Sequence, residues 1–262
     1  YFLALPDYLG YDSAVSMASK YKKEVTRALR LKRFANRIVE VVGGREIHSV
    51  RPIVGGFTRV PTADELRELH KELRALKADF EETVTLFTSL DYPDFRRDTQ
   101  YLAIRDKDAI NYLKGNLLSS NNIKFTPEKY LKHIKEVVVP YSNTKCVTLK
   151  DREFMVGALA RVNVNKSLIS KNAKTFMRKS KVSFPSNNPY HNNAAQAIEL
   201  MDFYDRLSSL LYKLKPKEEK TPEIEPRAGH GVSVIEAPRG LLFHEYELDA
   251  KGKVKSANII AP

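Results

Sequence analysis

The chain has 262 residues, a formal net charge of +12 and 42% hydrophobic residues, enough to bury a core in one large domain or two small ones. It contains no run of about 18 apolar residues, which excludes a membrane-spanning helix, and no basic-then-apolar signal peptide. Its single cysteine, Cys146, excludes an internal disulfide and a thiolate metal cage built from this chain alone. We expect a reducing, cytoplasmic compartment, with Cys146 as a small, half-buried apolar residue.

The basic excess is densest in residues 166–181, KSLISKNAKTFMRKSK, which contain no acidic residue. A groove for nucleic acid would interleave such charge with exposed aromatic side chains, and this run contains only Phe176. The sequence therefore favours a solvated helix face, or a docking face for an acidic partner protein, over nucleic-acid binding.

The beginning of the chain predicts a long helix followed by a loop. Asp12 and Ser13 can cap a helix that runs to Val42, and the glycines that follow accept the left-handed backbone of a helix C-terminus. The next segment, GGREIHSVRPIVGGF (residues 43–57), has glycine pairs at both ends and an internal proline. It predicts a structured loop or short strand and not a helix.

The clearest pattern predicts one long amphipathic helix. Thr62 and Glu65 form a capping box after Pro61. Apolar residues then recur at steps of three and four at Leu66, Leu69, Leu73, Leu76, Phe80, Val84 and Phe87. This spacing predicts a continuous helix of about seven turns with one buried stripe.

The middle of the chain is less regular. Residues 89–120 give mixed signals, with a turn and a short strand in DYPDFRRDTQYLAIRD. Thr126 begins a short predicted helix that ends at Glu136, and a strand follows at residues 137–139. Residues 152–162 fit either a helix or a strand.

The last third predicts one more helix, a linker and strands. Asn188 caps a helix with Pro189 in its first turn, and an apolar stripe continues to about Lys215. Residues 216–228 are charged and proline-rich, which predicts a surface loop or linker. Strand-like segments on either side of a turn at residues 249–252 predict a β-hairpin-like end.

One phrase near this end, VIEAPRGLLFH (residues 234–244), places a charge at a constrained position. Arg239 lies between a rigid proline and a flexible glycine, with apolar, strand-like residues on both sides. From the residues alone, Arg239 is either a functional cation or a buried arginine paired with Glu236 or another acid. The sequence contains no HExxH, GxSxG or P-loop motif and no complete dinucleotide fingerprint, so it offers no self-contained catalytic site.

Five phrases together carry a resemblance to a known family. They are GGREIHSVRPIVGGF, VVPYSNTK, FMVGALARVNVN, NNPYHNNAAQAIELM and GHGVSVIEAPRGLLFHEYELDAKGKVKSANIIAP. In this order they resemble the large, catalytic subunit of nickel–iron (NiFe) hydrogenases, of the cytosolic sulfhydrogenase or soluble bidirectional type. The resemblance implies a mainly α (α+β) fold, with long helices in a bundle and a small β-hairpin or sheet near the C-terminus, as a single domain over residues 1–262.

The family's activity is reversible H2 oxidation and proton reduction at a Ni–Fe(CO)(CN)2 centre. Its four cysteine ligands come from two CxxC motifs, and this sequence has neither, so no metal ligand is assigned here. The partners that the resemblance implies are electron-transfer subunits and an iron–sulfur small subunit. Because the chain begins at Tyr1 and stops at Pro262 in the middle of family phrases, we expect a central fragment truncated at both ends. A truncated paralogue without the metal is the competing interpretation.

The resemblance also suggests site residues. Arg239 matches the family's arginine over the open metal position, and Glu236, Pro238 and Gly240 would fix the loop that aims it. His48 matches a histidine that faces the nearest cluster of the small subunit, although it also fits a hydrogen-bonded loop histidine.

Two alternatives remain within the same superfamily. One is the quinone-pocket subunit of respiratory complex I, whose corresponding loop resembles EGPKGE rather than EAPRGLLFH. The other is a non-catalytic hydrogenase-like subunit that scaffolds an iron–sulfur partner.

Overall fold

The computed structural model describes residues 1–107, 110–218, 220 and 223–262. The protein is a mixed α/β protein, 42% helical with 20% strand, and the expected mainly-α bundle is not confirmed. The chain divides into two compact units. A helical unit comprises residues 1–92, 179–181 and 200–224, and a sheet unit comprises residues 93–178, 182–199 and 225–262. The prediction of a single domain stays a prediction.

The helical unit contains five helices and a short hairpin that precede the sheet unit in the chain: α1 (Leu5–Tyr8), α2 (Ala14–Ala18), α3 (Lys22–Gly43), β1 (Pro52–Ile53), β2 (Gly56–Phe57), α4 (Ala63–Ala75) and α5 (Lys77–Ser89). Ser13 caps the first predicted helix, but that helix is interrupted before Lys22. It ends as predicted, because Gly44 adopts φ 87° at the C-terminus of α3. Among the described residues, no helix has both the length and the apolar content needed to cross a membrane.

The predicted continuous helix over residues 62–87 is two helices. Its start is confirmed, since Thr62 and Glu65 form the capping box. The break is at Leu76, where φ −87° and ψ 3° end α4 and its N–H still bonds to carbonyls of the preceding turn. Phe80 and Val84 are nevertheless buried on α5, so the apolar stripe continues across the break. The spacing of apolar residues therefore identified the buried face but not the interruption.

The sheet unit carries most of the strands. The elements that follow α5 in the chain are β3 (Gln100–Arg105), β4 (Asn116–Ser119), β5 (Lys124–Phe125), β6 (Ile134–Val137), β7 (Cys146–Leu149), β8 (Phe154–Met155), α6 (Ala158–Asn165), α7 (Lys171–Lys179), α8 (Asn192–Lys213), β9 (Gly229–Ala237), β10 (Gly240–Leu248) and β11 (Val254–Ile260). The end of α7 and the larger part of α8 belong to the helical unit. The predicted helix from Thr126 is wrong in its second half, because a 3₁₀ helix at Pro127–Lys132 gives way to β6.

The described residues of this unit form three sheets. β11, β10 and β9 form an antiparallel sheet in that order, β5, β4, β3 and β8 form a mixed sheet, and β6 pairs with β7. A shared core includes Leu102 and Ile104 of β3, Val234 of β9 and Phe243 of β10. Cys146, predicted to be half-buried, is exposed on β7.

The predicted linker at residues 216–228 falls partly outside the described residues, at positions 219, 221 and 222. Its described residues form neither helix nor strand.

Candidate functional site

The phrase around Arg239 forms a tight β-hairpin in the sheet unit. β9 and β10 are antiparallel and pair through Ala237 and Gly240, so Pro238 and Arg239 are the two residues of the turn. Alternate residues of both strands, including Val234 and Phe243, point into the core. The strand-like flanks predicted from the sequence are thus the two arms of one element, called here the arginine hairpin (residues 229–248).

A buried group of three charged side chains lies beside this hairpin. The Arg161 guanidinium of α6 donates from Nε to Glu199 Oε1 at 2.5 Å and from Nη2 to Glu199 Oε2 at 2.8 Å. Its Nη1 donates to Glu236 Oε2 at 3.1 Å. The three side chains are only 3%, 5% and 1% exposed, respectively. The planar fork of an arginine suits this two-sided arrangement.

Arg161 also binds the backbone of the turn itself. It donates to the carbonyl oxygens of Ala237 and Pro238, each at 3.2 Å. Its Cζ lies 5.8 Å from the centroid of the Tyr112 ring, which adds a cation–π contact. One side chain therefore bonds to Glu236 and to both residues that follow it, which fixes the backbone up to Arg239.

Glu236 ties the hairpin to the mixed sheet. Its Oε1 accepts a hydrogen bond from the backbone N–H of Ile104 at 2.8 Å. The carbonyl of Ile104 accepts one from the Asn165 side chain at 3.0 Å. β8 pairs with β3 only at Gln100 and Tyr101, so these two side chains satisfy the backbone of β3 where the neighbouring strand has ended.

Two glycines allow the turn to pack against the segment between β8 and α6. Gly240 has φ 145°, and an added Cβ would collide with the side chain of Val156. Gly157 has φ 92°, and an added Cβ would lie 2.9 Å from the carbonyl oxygen of Arg239. Any larger residue at either position would displace the turn.

For both Glu236 and Arg161, burial and the opposite charge nearby have opposing effects on the pKa. Burial raises the pKa of Glu236 to about 7, while the Arg161 cation opposes the rise and the nearby Glu199 adds to it. Burial would lower the pKa of Arg161, but the two carboxylates more than offset this effect and raise it. Arg161 thus stays charged, and Glu236 can take up a proton near neutral pH.

Arg239 itself is exposed at the end of the hairpin. In the part of the chain that the structure describes, its side chain makes no hydrogen bond or ion pair. The buried Arg239–Glu236 pair considered from the sequence is not formed, because Arg161 takes that position. Sequence reasoning missed Arg161 and Glu199. The available signal was a lone arginine in the apolar phrase FMVGALARVNVN.

His48 lies elsewhere in the chain. It is exposed in the loop after α3, with φ 54°, and belongs to the helical unit, whereas Arg239 belongs to the sheet unit.

The described residues do not by themselves form the metal site that the resemblance implies. Across residues 1–107, 110–218, 220 and 223–262, no group of three or more His, Cys, Asp or Glu side chains could hold a metal ion. Cys146, the only cysteine of the sequence, is exposed on β7. The four thiolates of such a centre have no counterpart in this sequence.

No family model matches the chain, but curated proteins do. The alpha subunit of sulfhydrogenase 1 from Pyrococcus furiosus is 36% identical over 270 residues, covering 100% of this chain and 62% of that protein. The vhu F420-non-reducing hydrogenase of Methanocaldococcus jannaschii has a subunit that is 32% identical over 287 residues, covering 99% of this chain and 69% of that protein. The chain therefore spans about 62% of the first of these relatives.

Solved structures show the same fold. An NAD+-reducing nickel–iron hydrogenase in the H2-reduced state superposes with a TM-score of 0.80 at 21% identity, over 99% of this chain and 64% of that chain. The reduced, active nickel–iron–selenium hydrogenase of Desulfomicrobium baculatum gives a TM-score of 0.70 at 19% identity, over 91% of this chain and 58% of that chain.

Proposed function

The chain belongs to the family of nickel–iron hydrogenase large subunits, and we propose that it forms the part of such a subunit that presents Arg239 to the metal site. The reaction proposed for the complete enzyme is reversible H2 oxidation and proton reduction. The electron acceptor would be determined by other subunits of the enzyme.

One observation carries the proposal. Arg239 has no hydrogen-bond or ion-pair partner among the described residues, yet buried contacts fix the backbone that carries it. Arg161 binds two successive carbonyls of the turn, and Gly157 and Gly240 let the turn pack closely. A guanidinium stays protonated and presents several N–H donors in one plane. Held in place beforehand, Arg239 can stabilise negative charge beside it with little reorganisation. Glu236, Pro238 and Gly240 support this placement.

The proposal includes a cofactor and partners. The Ni–Fe(CO)(CN)2 centre would supply the redox chemistry, held by cysteines that are not among residues 1–262. Electron-transfer subunits and an iron–sulfur small subunit would carry the electrons in a cytoplasmic enzyme, and His48 would face the nearest cluster. Support comes from the relatives, which are named as subunits of sulfhydrogenases and other hydrogenases.

Arg239→Lys in the complete, matured enzyme tests the proposal. Lysine keeps the charge but loses the planar set of donors, so we expect hydrogen turnover to fall by about 100-fold with nickel content unchanged. Turnover is measured by hydrogen-dependent dye reduction and nickel by elemental analysis. The matched control is Arg227→Lys, an exposed arginine that precedes β9, which we expect to leave both values unchanged.

Two results would contradict the proposal in different ways. Full turnover in the Arg239→Lys enzyme would remove the role of Arg239 while leaving the hydrogenase assignment intact. A correctly matured wild-type protein without nickel would favour the quinone-pocket or scaffold alternative.

A further inference from the structure

A second feature of the sheet unit has no role in the proposed site. A cleft of about 660 Å³ opens between α7, the segment before it, and strands β3 and β4. Four cations line it: Arg105, Lys166, Lys174 and Arg178. Its apolar surface comes from Leu118, Val164 and Met177. We call it the basic cleft. It contains part of the basic run at residues 166–181 that the sequence singled out.

The cations of the basic cleft are held by neutral oxygens. Arg105 donates to the carbonyl of Val164 at 2.9 Å and to the hydroxyl of Ser167 at 3.1 Å. Lys174 donates to the carbonyl of Ser167 at 2.8 Å. Arg178 donates to the hydroxyl of Thr175 at 3.2 Å. These bonds orient the side chains but leave their positive charge unneutralised.

Some other surface cations of the same unit form ion pairs with carboxylates. Lys135 contacts Asp151 at 2.7 Å, and Arg152 contacts Asp98 at 3.4 Å. Within the described part of the chain, no acidic residue lines the basic cleft and none of its four cations forms an ion pair. The cleft therefore combines apolar surface with excess positive charge, which fits a ligand that presents both an apolar group and carboxylates.

We propose that the basic cleft docks a segment of a partner subunit in which an aliphatic side chain is flanked by carboxylates. The aliphatic group would pack against the apolar side chains of the cleft, and the carboxylates would pair with cations that are already oriented. A nucleic-acid strand fits less well, because none of the described residues that line the cleft is an aromatic residue on which a base could stack. This inference rests on the proposed function only in taking the partner to be another subunit of the same enzyme.

Carbodiimide cross-linking of the purified, assembled enzyme tests the contact directly. This reagent joins a lysine amine to a carboxylate that already touches it, and peptide mass spectrometry identifies the pair. We expect Lys166 or Lys174 to be joined to an Asp or Glu of another subunit, next to a Leu, Ile, Val or Met. The yield should fall as salt is raised before the reagent is added.

Charge reversal tests the energetic role. We expect Lys174→Glu combined with Arg178→Glu to weaken binding of the cross-linked subunit by about tenfold or more, measured by salt-dependent dissociation of the complex. The matched control is Lys129→Glu combined with Lys132→Glu, two exposed lysines on the 3₁₀ helix of the same unit. If the first variant folds poorly, as judged by circular dichroism, Lys174→Gln with Arg178→Gln replaces it.

Three outcomes would overturn the proposal. They are the absence of an intersubunit cross-link from the cleft, cross-links only to residues of the same polypeptide, and loss of the cross-link on adding single-stranded DNA. Nickel content and hydrogen turnover are measured in the same preparations. A loaded, active enzyme without the cross-link refutes the docking site alone, whereas a protein without nickel or turnover refutes the proposed function.

Discussion

Arg161 is a charged residue in a buried position, which is uncommon in proteins. Removing a guanidinium from water is costly, and the cost is offset only when its donors are all satisfied. Here five contacts satisfy them, two with Glu199, one with Glu236 and one with each of two carbonyls of the turn. The same contacts that stabilise the charge also fix the turn that carries Arg239. Stability of the fold and placement of the proposed functional residue thus depend on one side chain.

We predict that Arg161→Ala lowers the free energy of unfolding by about 3–5 kcal/mol at about pH 8, because two buried carboxylates lose their cation. Urea unfolding followed by circular dichroism measures the change. The control is Arg152→Ala, whose ion pair with Asp98 is exposed at 55% and 95% of the two side chains. We expect less than about 1 kcal/mol there. Equal losses in the two variants would show that the buried group contributes no special stability.

Glu236 makes the stability of the protein depend on pH. Its pKa rises from an ordinary value of 4.5 to about 7 in the folded chain, chiefly through burial. Between these values the folded state holds a proton that the unfolded chain has released, so the free energy of unfolding falls as pH rises from about 4.5 to 7. We expect this contribution to be roughly 3 kcal/mol. In Glu236→Gln the slope should flatten in that window, and an unchanged slope would assign it to other groups.

These residues also show what a sequence can and cannot reveal about the site. The resemblance drew attention to EAPRG, and the constrained arginine was visible from the proline and glycine beside it. Arg161 and Glu236 are 75 positions apart, and nothing in their local phrases pairs them. The phrase that contains Arg161 is one of those that carry the resemblance. The partners of its buried charge are identified only by the fold, which brings α6 next to the hairpin.

Among the elements, local signals worked where a cap or a turn determines structure. The capping box at Thr62, the left-handed glycine after α3 and the helix that follows Asn188 lie where predicted. The interruption at Leu76 was missed because one non-helical residue leaves the apolar spacing unchanged. β8 was ambiguous for a different reason: its two residues are strand only because they pair with β3, more than 50 positions earlier.

At this scale we predict that Gly157→Ala disturbs the arginine hairpin. The glycine has φ 92°, and the new methyl group would press on the carbonyl of Arg239 at 2.9 Å. We expect a loss of about 1–3 kcal/mol in the free energy of unfolding and faster amide exchange in the turn. Gly231→Ala on β9 is the control, since a Cβ there meets no atom within 4 Å. A stable Gly157→Ala protein with unchanged exchange would show that the turn does not depend on this close approach.

For the molecule as a whole, the fold resembles that of hydrogenases, but the sequence does not contain the cysteines that hold the metals in that family. The chain reproduces the hydrogenase large-subunit fold over 99% of its length, with a TM-score of 0.80 to an NAD+-reducing enzyme. Yet it contains one cysteine, and that residue lies exposed on β7. The residues that form the arginine hairpin are therefore separate in the sequence from the thiolates that would hold the metals of such a centre. Folding of this chain and nickel binding by a complete subunit can each be measured separately.

We predict that the 262-residue chain, produced alone with the maturation machinery, folds but contains no stoichiometric nickel. A complete large subunit with two CxxC motifs should contain about one nickel ion, because soft thiolates supply the ligands. Elemental analysis of both proteins measures nickel, and circular dichroism confirms folding. Cys146→Ser in the complete subunit is the control and should leave nickel unchanged, since Cys146 is exposed on β7. Stoichiometric nickel in the isolated chain would place ligands within residues 1–262, and loss of nickel in Cys146→Ser would make that residue one of them.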